Sequence, residues 1–171
     1  MLPKDILIKR VRNELKECKR SFRHKFSHSK IIDFPFEIKV KLIDAPGPIW
    51  RDGKLETKYE HELKIIITDS YPYQTPIVRW QSDIFHPNIM PPEDGGYVCT
   101  KLLDKWTFNS NLIAFIKGIE VLLSSPNPKS PFENDTCTRA AEYFNKHVYK
   151  PVEKKRKKPI IIGENGNCLP F

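Results

Sequence analysis

The chain has 171 residues, of which 39% are hydrophobic and 11% aromatic, which is enough for one globular domain with a hydrophobic core. No apolar run approaches the roughly 20 residues that span a bilayer, and no secretory signal opens the sequence. The four cysteines, Cys18, Cys99, Cys137 and Cys168, never show the paired spacing that binds zinc, and a disulfide framework is not expected without a secretory context. These features predict a cytoplasmic protein without a metal site or a membrane partner.

The net charge of +8 is concentrated at the two ends of the chain. Residues 1–30 contain ten Lys/Arg and three Asp/Glu, and residues 146–158 contain seven and one. Residues 31–145 are mildly acidic, with twelve and sixteen. Basic ends suit docking to acidic proteins as well as binding to nucleic acid, so charge alone leaves both functions open.

The first predicted element is an amphipathic helix that begins near Pro3. Its apolar side chains recur every three or four residues, at Leu7, Val11, Leu15, Cys18 and Phe22. Basic side chains, including those of Lys9, Arg10 and Arg12, fall largely elsewhere and form either a solvated face or a docking surface.

Strands are predicted next. Apolar and charged residues alternate over residues 36–42, and Ala45-Pro46-Gly47-Pro48 is expected to end this strand. Further strands are predicted at 63–67 and 77–80. Between them, residues 50–58 are predicted to turn at Asp52-Gly53, with short flanking strand as an option.

A long segment, residues 85–106, is rich in Pro and Gly but also carries large apolar side chains, which favours an ordered, functional loop. One helix is predicted from Asn109 or Ser110 to Ser125, and another over residues 135–147 with Val148 on its apolar side. This order predicts an α+β domain over residues 1–150, followed by a basic, flexible tail over 151–171.

Several motifs occur in a fixed order around this loop, and together they resemble the ubiquitin-conjugating enzyme family over residues 3–150. They are Tyr71-Pro72-Tyr73 with Pro76, His86-Pro87-Asn88, Gly96-Tyr97-Val98-Cys99, Trp106, and Pro126-Asn127-Pro128. The resemblance implies an N-terminal helix, a four-stranded antiparallel meander, an active-site loop and C-terminal helices.

The resemblance also implies an activity. Cys99 would accept ubiquitin or a ubiquitin-like modifier from an activating enzyme as a thioester, and would pass it to a substrate lysine with the help of a RING-type ligase. Sulfur is a competent nucleophile and leaving group for this exchange. The chain needs no cofactor of its own on this interpretation, because the activating enzyme uses the ATP.

The residues around Cys99 have roles implied by the same resemblance. Asn88 either donates its amide hydrogens to the oxyanion of aminolysis or holds the loop through backbone hydrogen bonds. His86 is expected to be structural rather than a general base, and Pro87 and Trp106 are expected to belong to the same structural motif.

A docking surface is implied as well. Tyr73, Thr107 and Phe108 match two loops that, beside the first helix with Lys9, Arg10 and Arg12, receive the activating enzyme and RING-type ligases. Ordinary packing is the alternative for the two aromatic side chains.

Two departures from the family pattern stand out. Cys99 follows His86 by thirteen residues where the family commonly has about ten, so Pro91-Pro92-Glu93-Asp94 is interpreted as an insertion, which preserves the chemistry if it bulges outward. Ser130 stands where many relatives have an aspartate that helps to orient or deprotonate the incoming lysine. Its hydroxyl cannot act as a base at neutral pH, so it can only orient the amine or await phosphorylation, which supplies negative charge. This predicts slow transfer that a ligase strongly stimulates.

Two other functions are weighed against this one. A non-catalytic, ubiquitin-binding variant of the same fold would lack the acceptor cysteine, which this sequence has in register. A nucleic-acid-binding module would use the basic ends but would leave the motifs of the central loop unexplained.

Overall fold

The computed structural model describes residues 1–99 and 106–151, so most of the predicted tail lies outside the described residues. Three helices and six strands are found in this part of the chain. In order they are α1 (Lys4–Ser21), β1 (Lys25–Ser27), β2 (Phe36–Leu42), β3 (Gly47–Arg51), β4 (Lys54–Lys58), β5 (His61–Ile67), β6 (Ile77–Trp80), α2 (Leu112–Ser124) and α3 (Asp135–Lys146).

The main sheet has four antiparallel strands in the order β1-β2-β5-β6, which confirms the predicted meander. The strands β3 and β4 form a separate hairpin inserted between β2 and β5. Its turn is at Asp52 and Gly53, whose φ angles of +49° and +75° agree with the turn predicted from the Asp-Gly pair.

Two strands differ from the sequence prediction. The Pro-rich segment does follow the end of β2, but Gly47 and Pro48 then belong to β3. Proline is tolerated there because β3 pairs on one side only, with β4. Strand β1 was not predicted, because its three residues are too few to show a period.

The helices follow the predicted apolar stripes. Helix α1 buries Leu7, Val11, Leu15 and Cys18. Helix α2 begins slightly later than predicted, capped by Asn111, whose Oδ1 accepts a hydrogen bond from the Ala114 N–H. The prediction for Val148 was wrong, since α3 ends at Lys146 and the Val148 side chain is 83% exposed.

The core consists of the inner face of the sheet together with the buried faces of α1 and α2. A second, smaller apolar cluster joins Phe85 to Ala140 and Phe144 of α3. The loop that precedes Cys99 therefore begins against α3. Among the described residues, none of the helices has the length and apolar character needed to cross a membrane.

Candidate active site

His86 anchors the beginning of the loop that carries Cys99. Its ring is fully buried, with Nε2 2.9 Å from the carbonyl oxygen of Leu122 and Nδ1 accepting the Asn88 backbone N–H at 3.0 Å. Since Nδ1 is an acceptor, Nε2 carries the hydrogen and donates to Leu122 near the end of α2. Burial lowers the pKa of His86 to about 3. The neutral His86 imidazole thus uses both ring nitrogens in hydrogen bonds inside the protein.

Asn88 connects this loop to the segment after α2. Its side chain is 2% exposed, and Nδ2 donates to the carbonyl oxygens of Asn127 at 3.0 Å and Ser130 at 2.9 Å. Its Oδ1 accepts the Asn127 N–H at 2.8 Å. Both amide hydrogens therefore point to backbone acceptors. This geometry corresponds to the loop-holding alternative for Asn88.

Cys99 is held opposite Asn88, because its backbone N–H donates to the Asn88 carbonyl oxygen at 2.9 Å. Of the three described cysteines, Cys99 is partly exposed, whereas Cys18 and Cys137 are fully buried. Burial raises the pKa of Cys18 to about 12 and that of Cys137 to about 12. Within the described residues, Cys99 is thus the thiol that solvent and a protein partner can reach.

The predicted insertion bulges outward beyond Pro91, which is itself buried. Pro92, Glu93 and Asp94 are exposed and form a single turn of 3-10 helix. The backbone then reverses at Gly95 and Gly96, whose φ angles are +100° and +64°. Residues 97–99 return beside residues 88–90, so the insertion extends the tip of the loop and leaves Cys99 at its base.

Other residues predicted for the site lie around it. Pro87 is buried, and its carbonyl oxygen accepts the Phe132 N–H at 2.9 Å. The Trp106 indole donates to the Pro72 carbonyl oxygen at 2.7 Å. Ser130 is exposed, and its backbone carbonyl is one of the acceptors that hold Asn88. The structure therefore brings Ser130 next to the residue that holds Cys99.

The predicted docking residues divide into two groups. Tyr73 and Phe108 are 55% and 45% exposed, and their ring centroids are 5.3 Å apart. Thr107, Lys9 and Arg12 are exposed as well. Arg10 differs, since its side chain is only 21% exposed and donates to the carbonyl oxygens of Phe108 and Ser110 at 2.9 and 2.8 Å. Arg10 thus shapes the loop that presents Phe108.

Glu14 is a residue of this region that sequence reasoning missed. Its carboxylate accepts the Tyr71 hydroxyl at 2.5 Å, the Leu112 N–H at 3.0 Å and the Arg10 Nε–H at 2.8 Å. One side chain of α1 thereby fixes the Tyr71 loop, the first turn of α2 and Arg10. These partners lie up to 98 residues apart in sequence, so spacing along the chain gave no signal.

A metal site was sought among the side chains of the described residues. Among them, no three His, Cys, Asp or Glu side chains are grouped so that they could hold a metal ion. The chemistry that this arrangement can support is that of an accessible thiol in an anchored loop. Amines and protein surfaces can approach it from solvent.

The fold and the loop together define a class of protein. A helix packed on a four-stranded antiparallel meander, followed by a cysteine-bearing loop anchored to the next helix, is the architecture of ubiquitin-conjugating enzymes. A sequence model described as ubiquitin-conjugating enzyme matches residues 10–155. The chain belongs to the ubiquitin-conjugating enzyme family, whose members are transferases that act with ubiquitin or ubiquitin-like modifiers and protein substrates.

Individual relatives agree with this assignment. The chain is 32% identical over 136 residues to a probable ubiquitin-conjugating enzyme of Acanthamoeba polyphaga mimivirus, covering 77% of this chain and 80% of that protein. It is 36% identical over 85 residues to a SUMO-conjugating enzyme of Dictyostelium discoideum, covering 46% and 52%. The solved conjugating domain of a Toxoplasma gondii ubiquitin-conjugating enzyme shares the fold, with a TM-score of 0.61, 20% identity and coverage of 81% and 86%.

Proposed function

We propose that Cys99 carries ubiquitin or a ubiquitin-like modifier as a thioester and passes it to a substrate lysine. The observation that carries the proposal is the contrast between the partly exposed Cys99, in its anchored loop, and the buried thiols of Cys18 and Cys137. The presence of this thiol argues against the non-catalytic variant. Neither the loop nor the comparisons favour a nucleic-acid-binding module.

The first step is exchange between two thioesters. The Cys99 sulfur attacks the carbonyl carbon at the modifier's C-terminus, a new C–S bond forms, and the activating enzyme's cysteine leaves as a thiolate that takes up a proton. The bond broken and the bond formed are of the same kind, so no strong driving force is required. The chain itself then needs neither metal nor nucleotide, and ATP is used by the activating enzyme.

The second step is aminolysis. The neutral amine of a lysine attacks the thioester carbonyl, an amide bond forms, the Cys99 thiolate leaves, and the amine loses a proton to solvent. His86 is a poor candidate for the base, because its Nδ1 accepts the Asn88 N–H inside the protein. We assign Asn88 a positioning role, because its amide hydrogens are bonded to the carbonyls of Asn127 and Ser130.

Transfer to free lysine is predicted to be slow without a ligase and to accelerate with pH. Ser130 supplies no carboxylate, and a lysine amine with a pKa of about 10.4 gains about tenfold in its neutral fraction per pH unit below that value. Single-turnover discharge, from about pH 7 to about pH 9, should therefore rise nearly tenfold per unit. Ser130→Asp should speed discharge at about pH 7 by about tenfold or more. Fast, pH-independent discharge by the unaltered protein would contradict this account.

The Tyr73 and Phe108 pair, with the basic residues of α1 beside it, is proposed as the surface for the activating enzyme and for a RING-type ligase. Exposed aromatic side chains at a loop tip are typical of interface hot spots. Tyr73→Ala combined with Phe108→Ala should lower ligase-stimulated discharge by about thirtyfold. Val121→Ala is the control, since Val121 is 58% exposed on α2. Equal stimulation of both variants would refute the assignment.

A further inference from the structure

The insertion is fixed in position by backbone and side-chain contacts. The N–H groups of Asp94 and Gly96 both donate to the Pro91 carbonyl oxygen, at 3.0 and 3.1 Å. A side chain at Gly96 would lie 2.3 Å from the Trp80 carbonyl oxygen, so the chain passes as close to β6 as glycine allows. Asp94 also accepts the side-chain N–H of Asn134, the cap of α3, at 2.9 Å. These contacts fix the backbone of the insertion in one position.

The anchored insertion forms one wall of a surface cavity of about 310 Å³. Pro91 and Glu93 of the insertion line the cavity together with the buried residues Ile84 and Phe85. The Trp50 indole, which is 40% exposed, also lines the cavity, and its ring lies 5.0 Å from that of Phe85. A second ring contact, a T-shaped one with Tyr143 of α3 at 5.3 Å, also holds the indole in place. The cavity thus offers an immobilised aromatic surface beside the insertion.

Two carboxylates, those of Asp83 and Glu93, lie at the rim of this cavity and are exposed. Within residues 1–99 and 106–151, neither has an ion pair or a hydrogen bond. An indole beside unpaired carboxylates favours a lysine or arginine side chain, which gains a cation–π contact and a charge-assisted hydrogen bond together. Arg139 of α3 also lines the cavity, so the lining carries one positive charge beside the two carboxylates and remains net negative.

The cavity lies within peptide reach of Cys99. Pro91 pairs with Gly96 near the tip of the loop, and Asn88 pairs with Cys99 at its base. On the returning side of the loop, three residues separate Gly96 from Cys99, and an extended chain of that length spans roughly 10 Å. A substrate segment with its acceptor lysine at Cys99 could therefore place a side chain three or four positions away in the cavity.

We propose that this cavity selects acceptor segments that carry a lysine or arginine three to four residues from the acceptor lysine. The proposal rests on the thioester function of Cys99 and names the substrate class of that site. It assigns a purpose to the insertion, which supplies Glu93. Asp83 and Glu93 are specificity-determining residues on this view and do not contact the reacting atoms.

The test compares discharge of the thioester-loaded protein to two peptides, each with one lysine. One peptide has arginine three and four positions from the lysine on both sides, and the other has glutamine there. The arginine peptide should react about fivefold faster. In an Asp83→Asn, Glu93→Gln variant the ratio should fall to about one. Glu133→Gln, which neutralises an exposed carboxylate outside the cavity, should keep the ratio. Equal rates with the unaltered protein, or a ratio kept in the double variant, would overturn the proposal.

Peptide binding to the unloaded protein tests the cavity independently of the thioester. The arginine peptide with its lysine acetylated should bind the unloaded protein more tightly than the acetylated glutamine peptide, measured by tryptophan fluorescence. This measurement does not depend on the thioester, so it distinguishes failure of the cavity from failure of Cys99.

A further control concerns the chain's own basic residues. The five Lys/Arg at residues 154–158 are the alternative candidates for binding in the cavity. A preference for arginine that emerges only when these five residues are changed to glutamine would assign the cavity to the tail and contradict the proposal.

Discussion

Replacing Asn88 with alanine is expected to lower the stability of the protein and to slow thioester loading and discharge together. The change leaves the Asn127 N–H and the carbonyls of Asn127 and Ser130 without their present partners. Three lost hydrogen bonds correspond to about 3 kcal/mol, or a fall of about 6–12 °C in Tm for a protein of this size. Because the Asn88 backbone also holds Cys99, both half-reactions should slow by about tenfold or more.

Asn88→Asp distinguishes the two roles considered for this residue. A carboxylate keeps the size of the side chain and still accepts the Asn127 N–H, but its other oxygen would face two carbonyl oxygens. A positioning role predicts that Asp is as harmful as Ala in Tm, loading and discharge. An oxyanion role predicts that discharge alone falls, by about a hundredfold, while Tm and loading stay unchanged. Asn145→Ala, an exposed change on α3, is the control for stability.

Acid is expected to destabilise the fold through two buried histidines. Burial lowers the pKa of His86 to about 3 and that of His61 to about 4, against 6.5 for an unperturbed histidine. An unfolded histidine therefore binds a proton that the folded one excludes, so the stabilisation is fully present above about pH 6.5 and is lost as the pH falls. Two groups give about 3 kcal/mol per pH unit. The free energy of unfolding should fall by about 3 kcal/mol between about pH 6.5, where the unfolded histidines are half protonated, and about pH 5.

Urea titrations at several pH values measure this dependence directly. In His61→Gln, one of the two histidines no longer titrates, so the slope of unfolding free energy against pH should be about half as steep between pH 6.5 and about pH 4. The comparison of slopes is independent of any change in stability that the substitution itself causes. Identical slopes for the variant and the unaltered protein would show that His61 does not exclude protons in the folded state.

The elements that could be predicted from the sequence are those whose pattern is local. The spacing of Leu7, Val11, Leu15 and Cys18 predicted the buried face of α1, and alternation predicted β2. Strand β1 is too short to carry a period. The short strand considered before the Asp52-Gly53 turn exists as β3, but its start was missed because Gly47 was interpreted as a breaker. The role of Gly47 is close packing, since a Cβ there would lie 2.4 Å from Leu123 Cδ1. That contact depends on a helix far along the chain.

In the candidate site, too, local motifs could be predicted from the sequence, whereas contacts between distant parts of the chain could not. The order of motifs predicted that His86, Asn88 and Cys99 would share one loop, and the structure places them together. The partners that fix them, the backbone groups of Leu122, Asn127 and Ser130, could not be predicted because backbone acceptors carry no sequence signature. The cavity beside the insertion is likewise formed by four separate parts of the chain.

The most direct test of the account is thioester loading. The protein is incubated with an activating enzyme, its modifier and ATP, and is analysed on nonreducing gels beside Cys99→Ala and a triple variant of Cys18, Cys137 and Cys168. If Cys99 is the carrier, a reducible adduct forms on the unaltered protein and on the triple variant, and none forms on Cys99→Ala. If activating enzymes that load a control protein never load this chain, or if the adduct survives in Cys99→Ala, Cys99 is not the carrier.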